Sequence, residues 1–345
     1  MASKGKQDYT EVIKVNSNPD YYIKRIQTML RDGTYTISSK NYKHKKIMDN
    51  GKQRDLYKLS YYPHRIIQWA IILQIGEDLL KNFTADTYSS IEERGLHVAA
   101  MSIREALDVY PEETKYCLKI DITKYYPSID NNILYSKLER KFKDKKLLNL
   151  LHILTFSMGE KGQPIGSLWS QFAGNFYLSS LDHEMKEIFK TKFYYRYCDD
   201  IVILSGDKDF LHKTRATLTW ILSELKLDIK SNYQVFNVDK RGIDFLGYRF
   251  FRDYTLLRKR TLLNMIKKTK VLMKKTILNY SDTCTIASYA GILKYCNGYQ
   301  LFCKYIEPFN SKQGKNNKQE LCFINIKYKP FKKGWKKKHV CNRQR

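Results

Sequence analysis

Tyr195-Arg196-Tyr197-Cys198-Asp199-Asp200-Ile201-Val202-Ile203-Leu204 sets two adjacent carboxylates between strand-like runs of aromatic and β-branched residues, the pattern of a tight hairpin with acids at its turn. Taken alone, paired aspartates in a turn are as a rule a solvated polar loop. A third acid upstream changes the balance. Cys117-Leu118-Lys119-Ile120-Asp121-Ile122 is an apolar strand with Asp121 near its end, followed by Thr123-Lys124-Tyr125-Tyr126-Pro127-Ser128-Ile129-Asp130. A strand carboxylate and a hairpin carboxylate pair can meet on one sheet face, as magnesium sites built from carboxylates and substrate phosphates require.

Composition narrows the partners. Lys+Arg 62 against Asp+Glu 35 gives a formal charge of +27, which attracts polyphosphate, and 27 Tyr, 16 Phe and 4 Trp place stacking faces among the cations. The 345 residues, 43% hydrophobic, permit a large core and roughly two domains. The seven cysteines form no Cys-x-x-Cys pair, so neither a zinc ribbon nor a disulfide framework is indicated, and reduced thiols in the cytoplasm are expected. Met1–Asp20 lacks the apolar core of a signal peptide, and the longest apolar stretch, Ile66–Ile75, falls short of the roughly 18 residues of a membrane span, so no membrane partner is expected.

Further segments agree with the acids in chain order. The Tyr197–Asp200 box and Asp121 are preceded by Tyr62-Pro63-His64-Arg65-Ile66-Ile67-Gln68-Trp69-Ala70 and Ser90-Ile91-Glu92-Glu93-Arg94-Gly95-Leu96-His97-Val98-Ala99. Gly162-Gln163-Pro164-Ile165-Gly166-Ser167-Leu168-Trp169-Ser170-Gln171 lies between them, and Leu227–Lys230 and Phe245-Leu246-Gly247-Tyr248 follow. From about residue 55 to about residue 300 the chain resembles a reverse transcriptase. The resemblance implies an α/β (α+β) right-hand polymerase: fingers over residues 1–114, palm over 115–252, a helical thumb over 253–310 and a basic tail over 311–345. The pattern itself predicts a helix over Tyr21–Leu30 and a basic stretch from Lys40 to Lys58. It also predicts a helix after Gly166 that packs Leu168, Phe172 and Phe176 inward. A helix over Thr261–Tyr280 is expected with Leu262, Ile266, Met273 and Ile277 on one face and lysines mostly on the others. From Ser311 to Arg345 there are twelve Lys/Arg and one acid, a charge run of the kind that gains order on an anionic partner.

The resemblance also assigns roles. Asp121 and Asp199 bridge two Mg2+ ions, Asp200 completes the set, and the Ile122 carbonyl is an added ligand; a position behind the metal ligands is the alternative for Asp200. Tyr126, five residues after Asp121, is similar to the steric gate that excludes a 2′ hydroxyl, although either Tyr125 or Tyr126 could be core packing. Arg94 resembles the cation that holds the incoming triphosphate. Where many relatives carry another arginine three residues earlier, this chain has Ile91. Lys230 resembles the lysine that protonates departing pyrophosphate, a solvated lysine being its alternative. Ile165, Gly166 and Gln171 lie against template and nucleotide, and Phe245, Leu246, Gly247 and Tyr248 resemble the primer grip.

Ile165-Gly166-Ser167-Leu168-Trp169-Ser170-Gln171 discriminates within the family, since many reverse transcriptases have glutamine before that glycine and proline after the serine of the motif. The Ile-Gly-x-x-x-Ser-Gln form resembles enzymes of diversity-generating retroelements. Those make adenine-mutagenic cDNA from a template-repeat RNA and act with a small basic accessory variability protein. The implied partners are a structured template RNA, an RNA–DNA duplex, deoxynucleoside triphosphates and an accessory protein oligomer, in a bacterial or phage-encoded cytoplasmic setting. A bacterial antiphage or retron-type reverse transcriptase is the alternative, weakened by the lack of a Val-Thr-Gly motif near residues 250–300. Outside the enzyme class, a catalytically idle RNA-binding scaffold is the alternative, and the intact acids oppose it.

Overall fold

The computed structural model describes residues 1–49, 51–315 and 321–330, in two compact units. The first comprises Met1–Ile91, Ile120–Lys192 and Lys213–Tyr233; the second comprises Glu92–Lys119, Phe193–His212 and the chain from Gln234 onward. Among the described residues no helix is long and apolar enough to cross a membrane.

In the first unit the expected N-terminal helix runs from Pro19 to Arg31, started by Pro19 in its first turn and by the Asn18 side chain, which accepts from the Tyr21 amide. The basic stretch folds into an antiparallel ribbon, β1 (Lys43–Asp49) with β2 (Lys52–Lys58), paired from Lys43↔Lys58 inward. Lys43, Lys45 and Lys46 of β1 are exposed, so the ribbon offers its cations to solvent. The apolar run Ile66–Ile75 becomes core within the helix Ile66–Leu80, which buries Ile67, Ile71, Ile72, Ile75 and Leu79. The helix after Gly166 is Leu168–Tyr177, but its buried positions differ from the expected stripe. Trp169, Ala173, Phe176 and Tyr177 are buried while Leu168 and Phe172 are half-buried. Tryptophan and alanine one position on turn a second face inward, which a spacing-of-four reading overlooks.

The second unit is built on a sheet of order β4-β5-β3-β6, with β3 at Tyr116–Asp121, β4 at Phe193–Tyr197, β5 at Asp200–Ser205 and β6 at Gln234–Asn237. Ile120 and Asp121, the last residues of β3, are counted with the first unit. Consecutive residues Ile201, Val202 and Ile203 are fully buried, so β5 is covered on both faces, which explains its unbroken apolar sequence. A three-stranded meander follows: β7 (Ile243–Phe245), β8 (Tyr248–Phe250) and β9 (Thr255–Leu257). The lysine-rich helix spans Lys259–Met273, shorter than expected, and buries Met265, Thr269 and Leu272 rather than Leu262, Ile266, Met273 and Ile277. Thr269 Oγ1 donates to the Met265 carbonyl at 2.8 Å, so a polar residue joins the inner line unseen by an apolar count. Ile277 is half-exposed on β10 (Ile277–Leu278), which pairs with β11 (Gln313–Lys315), itself paired with β12 (Leu321–Phe323). The first part of the basic tail thus belongs to a folded unit, with Phe309 and Ile324 in its core. Residues 316–320 and 331–345 of that tail lie outside the described residues.

Candidate active site

The two central aspartates lie at a two-residue hairpin turn, one inside it and one just after it. Tyr197 pairs with Asp200 at the end of the β4–β5 ladder, leaving Cys198 and Asp199 as the turn. Cys198 takes φ 57, a left-handed conformation that glycine usually supplies in such turns. A fully buried arginine supports it: Arg196 Nη1 donates to the Cys198 carbonyl at 3.1 Å. Asp199 stands at the tip and Asp200 opens β5, both half-buried. Lys119 of β3 brings its ammonium to 3.6 Å from Asp200 Oδ1 and donates to the Asp244 carbonyl on β7. Asp244 is held in turn by Arg258, whose Nε lies 2.5 Å from Oδ1.

In the first unit Asp121 accepts from Lys230 twice: Nζ donates to Oδ1 at 2.9 Å, and the Lys230 amide donates to the Asp121 carbonyl at 2.9 Å. The Thr123 amide donates to the Asp228 carbonyl at 2.8 Å, and Ile122 bridges Ile229 in antiparallel fashion. With bonds on both flanks of that bridge, the Ile122 carbonyl points away from the 228–230 segment. The tyrosines divide as core and surface. Tyr125 is buried and its hydroxyl donates to the Gly174 carbonyl at 2.5 Å, whereas Tyr126 is half-buried. Gly174 makes room for both rings: a Cβ there would meet Tyr126 Cε1 at 3.1 Å and Tyr125 Cε1 at 3.4 Å. Asp130 proves structural, accepting at Oδ1 from the Asn132 and Ile133 amides at the start of the helix Asn131–Lys141 and pairing Oδ2 with Lys226 at 2.6 Å. Burial pushes its carboxyl up, but the Lys226 ammonium and the two amides outweigh that and hold it below the usual range.

Ile165 is half-buried and its carbonyl accepts from the Tyr57 amide of β2 at 2.8 Å. Gly166, at φ 108, packs so closely on β2 that a Cβ would sit 2.8 Å from Leu56 Cδ1 and 3.0 Å from the Tyr57 carbonyl. Gln171 is exposed. Gln68, so far only part of a motif, caps the helix Leu168–Tyr177: its Oε1 accepts from Ser167 Oγ and the Leu168 amide, each at 3.1 Å, and from the Trp169 amide at 3.3 Å.

In the second unit Arg94 is half-buried, just before the helix Leu96–Val109. The β7–β8 turn contains Leu246 at φ 55 and Gly247 at φ 85, the signature of a type I′ hairpin. Phe245 and Tyr248 are core residues, Tyr248 donating to the Ile292 carbonyl at 3.0 Å, so only Leu246 and Gly247 are offered at the tip. Sequence reasoning gave no role to Lys119, Arg196 or Gln68. The available signal was a charged or amide residue inside an otherwise apolar run. Among the described residues no three His, Cys, Asp or Glu side chains gather tightly enough to hold a metal unaided.

Residues 43–250 match the family model of the reverse transcriptase (RNA-dependent DNA polymerase). Among curated proteins none matches the chain. A solved structure of telomerase from Candida albicans, in complex with a fragment of telomeric RNA, is similar over 79% of this chain at 12% identity, with a TM-score of 0.51. Apo telomerase from Candida tropicalis is similar over 78% of this chain at 14% identity and a TM-score of 0.48. The chain spans 55% of the Candida albicans protein and 60% of the Candida tropicalis one. At such identities the likeness to the first speaks for a mixed helix-and-sheet polymerase fold alone.

Proposed function

The chain belongs to the reverse transcriptase (RNA-dependent DNA polymerase) family, and from that premise we propose that it copies an RNA template into DNA for a diversity-generating retroelement. The observation that carries the reading is the arginine-held Cys198–Asp199 turn, which presents two carboxylates, with Asp121 as their lysine-paired counterpart in the Asp121-Ile122 segment. Asp121, Asp199 and Asp200, with the Ile122 carbonyl, would hold two magnesium ions. The donor set fits, because every group is a hard oxygen. Asp121 and Asp200 also each face a lysine ammonium, at 2.9 Å and 3.6 Å, as carboxylates shaped for cations do. Bound there, magnesium would supply charge that acidifies the primer 3′ hydroxyl and offsets charge on departing pyrophosphate.

The chain's own groups orient the reactants. Arg94 offers a forked donor to triphosphate oxygens, Tyr126 packs under the deoxyribose, and Lys230 delivers a proton to pyrophosphate. Leu246 and Gly247, between Phe245 and Tyr248, support the primer end. Ile165 and Gly166 lie against the nascent pair, with Gln171 beside the template. Asp199→Asn removes one carboxylate oxygen charge while leaving the basic surface intact. It should abolish primer extension on RNA and preserve RNA binding, and undiminished extension by the variant would reject the activity.

The subtype rests on Ile165, which contributes shape where glutamine would hydrogen-bond. A neutral hydrogen bond is worth about 0.5–1.5 kcal/mol net, and about 1.4 kcal/mol is a factor of ten, so one contact shifts error rates severalfold. Ile165→Gln should lower misincorporation opposite template adenine more than opposite other bases, read by sequencing cDNA from both proteins on one template. A wild type already accurate at adenines would point to an antiphage or retron-type enzyme instead. The same reading brings a small basic accessory variability protein as partner and a cytoplasmic bacterial or phage-encoded setting.

A further inference from the structure

Lys119 stands where a strand of this composition has no packing need for a charge. Its neighbours Leu118 and Ile120 are fully buried, and its own side chain is 19% exposed. Burial of a lysine to that degree is costly unless its ammonium finds partners, and here it has two within one unit: Asp200 Oδ1 at 3.6 Å and the Asp244 carbonyl. The second partner lies in β7, one residue before the Phe245–Tyr248 turn, and Asp244 is itself fixed by Arg258. One amine therefore ties the start of β5 to the strand that carries the candidate primer grip.

We propose that Lys119 is a positioning residue that holds the Asp200 carboxylate in place when no divalent ion is bound and competes with that ion for it. The inference rests on reading Asp200 as a metal ligand. A fixed cation beside a carboxylate weakens divalent ion binding by like-charge repulsion, and the same cation preorganises the carboxylate relative to the β7–β8 turn. Removing the charge should thus tighten metal binding while impairing the reaction, a pairing of effects that lost packing alone does not produce.

The probe is Mn2+, with free ion counted by electron paramagnetic resonance in the presence of full-length protein and an RNA template annealed to a dideoxy-terminated DNA primer. A unit charge about 6 Å from a divalent ion in water corresponds to about tenfold in affinity. Lys119→Met should bind Mn2+ about tenfold more tightly than wild type and extend a normal primer more slowly at saturating metal. Lys119→Arg should restore both values toward wild type. In an Asp200→Asn background, Lys119→Met should change Mn2+ affinity far less, since the carboxylate through which it acts is gone. Unchanged Mn2+ affinity in Lys119→Met, with Asp199→Asn weakening it, would overturn this inference alone. Equal Mn2+ binding by wild type and Asp199→Asn would overturn the metal reading and this inference with it. If Lys119→Met does not fold, the arginine variant still decides: a charge-retaining change that tightened Mn2+ binding would contradict the competition.

Discussion

Tyr125 and Tyr126 are identical in chemistry and adjacent in sequence, yet burial gives them different work. Tyr125 donates to the Gly174 carbonyl from the core, while Tyr126 keeps part of its ring at the surface beside the same glycine. Only the second can meet the sugar of a nucleotide. Tyr126→Ala should therefore raise ribonucleotide incorporation relative to deoxynucleotide incorporation by about tenfold, the change that about 1.4 kcal/mol of discrimination represents. Steady-state incorporation of the two substrates on one template measures it. An unmoved ratio would make Tyr126 packing and remove the gate. Lys230 shows a similar refinement, since an amine bonded to Asp121 Oδ1 must exchange that carboxylate for a phosphate oxygen before it can serve as an acid.

Among the elements, the helix Leu168–Tyr177 depends on a residue about a hundred positions away. Its first amides and the Ser167 hydroxyl all converge on Gln68 Oε1, in a helix whose other inward residues are apolar. Gln68→Leu would leave these buried donors without an acceptor, at a cost of about 1–3 kcal/mol. Chemical denaturation should show that loss, and stability equal to wild type would mean that the helix start finds other partners. This dependence marks where the sequence stops being readable. The hairpin at Cys198–Asp199, the strand ending in Asp121 and the helix after Gly166 were legible because each is a local pattern of alternation, turn and period. Partners such as Gln68 with Ser167, or Lys119 with Asp244, were not, because pairing across long separations leaves no periodic trace. The lysine-rich helix failed in its details for a related reason: Thr269 satisfies its hydroxyl on the Met265 carbonyl and so can be buried where an apolar residue was expected.

For the molecule as a whole, charge is the governing quantity, and the C-terminal end carries its densest share. Residues 311–315 and 321–330 cannot be treated as a removable tail, since β11 and β12 pair there and Phe309 and Ile324 are core. A cut after Pro308 would remove folded structure along with charge, and its effect on RNA binding would have two causes. A cut after Pro330 separates them, because residues 331–345 hold seven Lys/Arg and no acid. Each phosphate neutralised adds about 0.7 to the salt slope on a single strand and about 0.9 on a duplex, so three engaged cations would flatten the slope by roughly 2–3. The truncated protein should bind RNA more weakly at low salt, converge with the full chain at high salt and keep the same thermal unfolding midpoint. Titrations across a salt series with one RNA measure all of this. A parallel slope would show that the seven cations take no phosphate, and a lowered midpoint would place residues 331–345 within the folded unit.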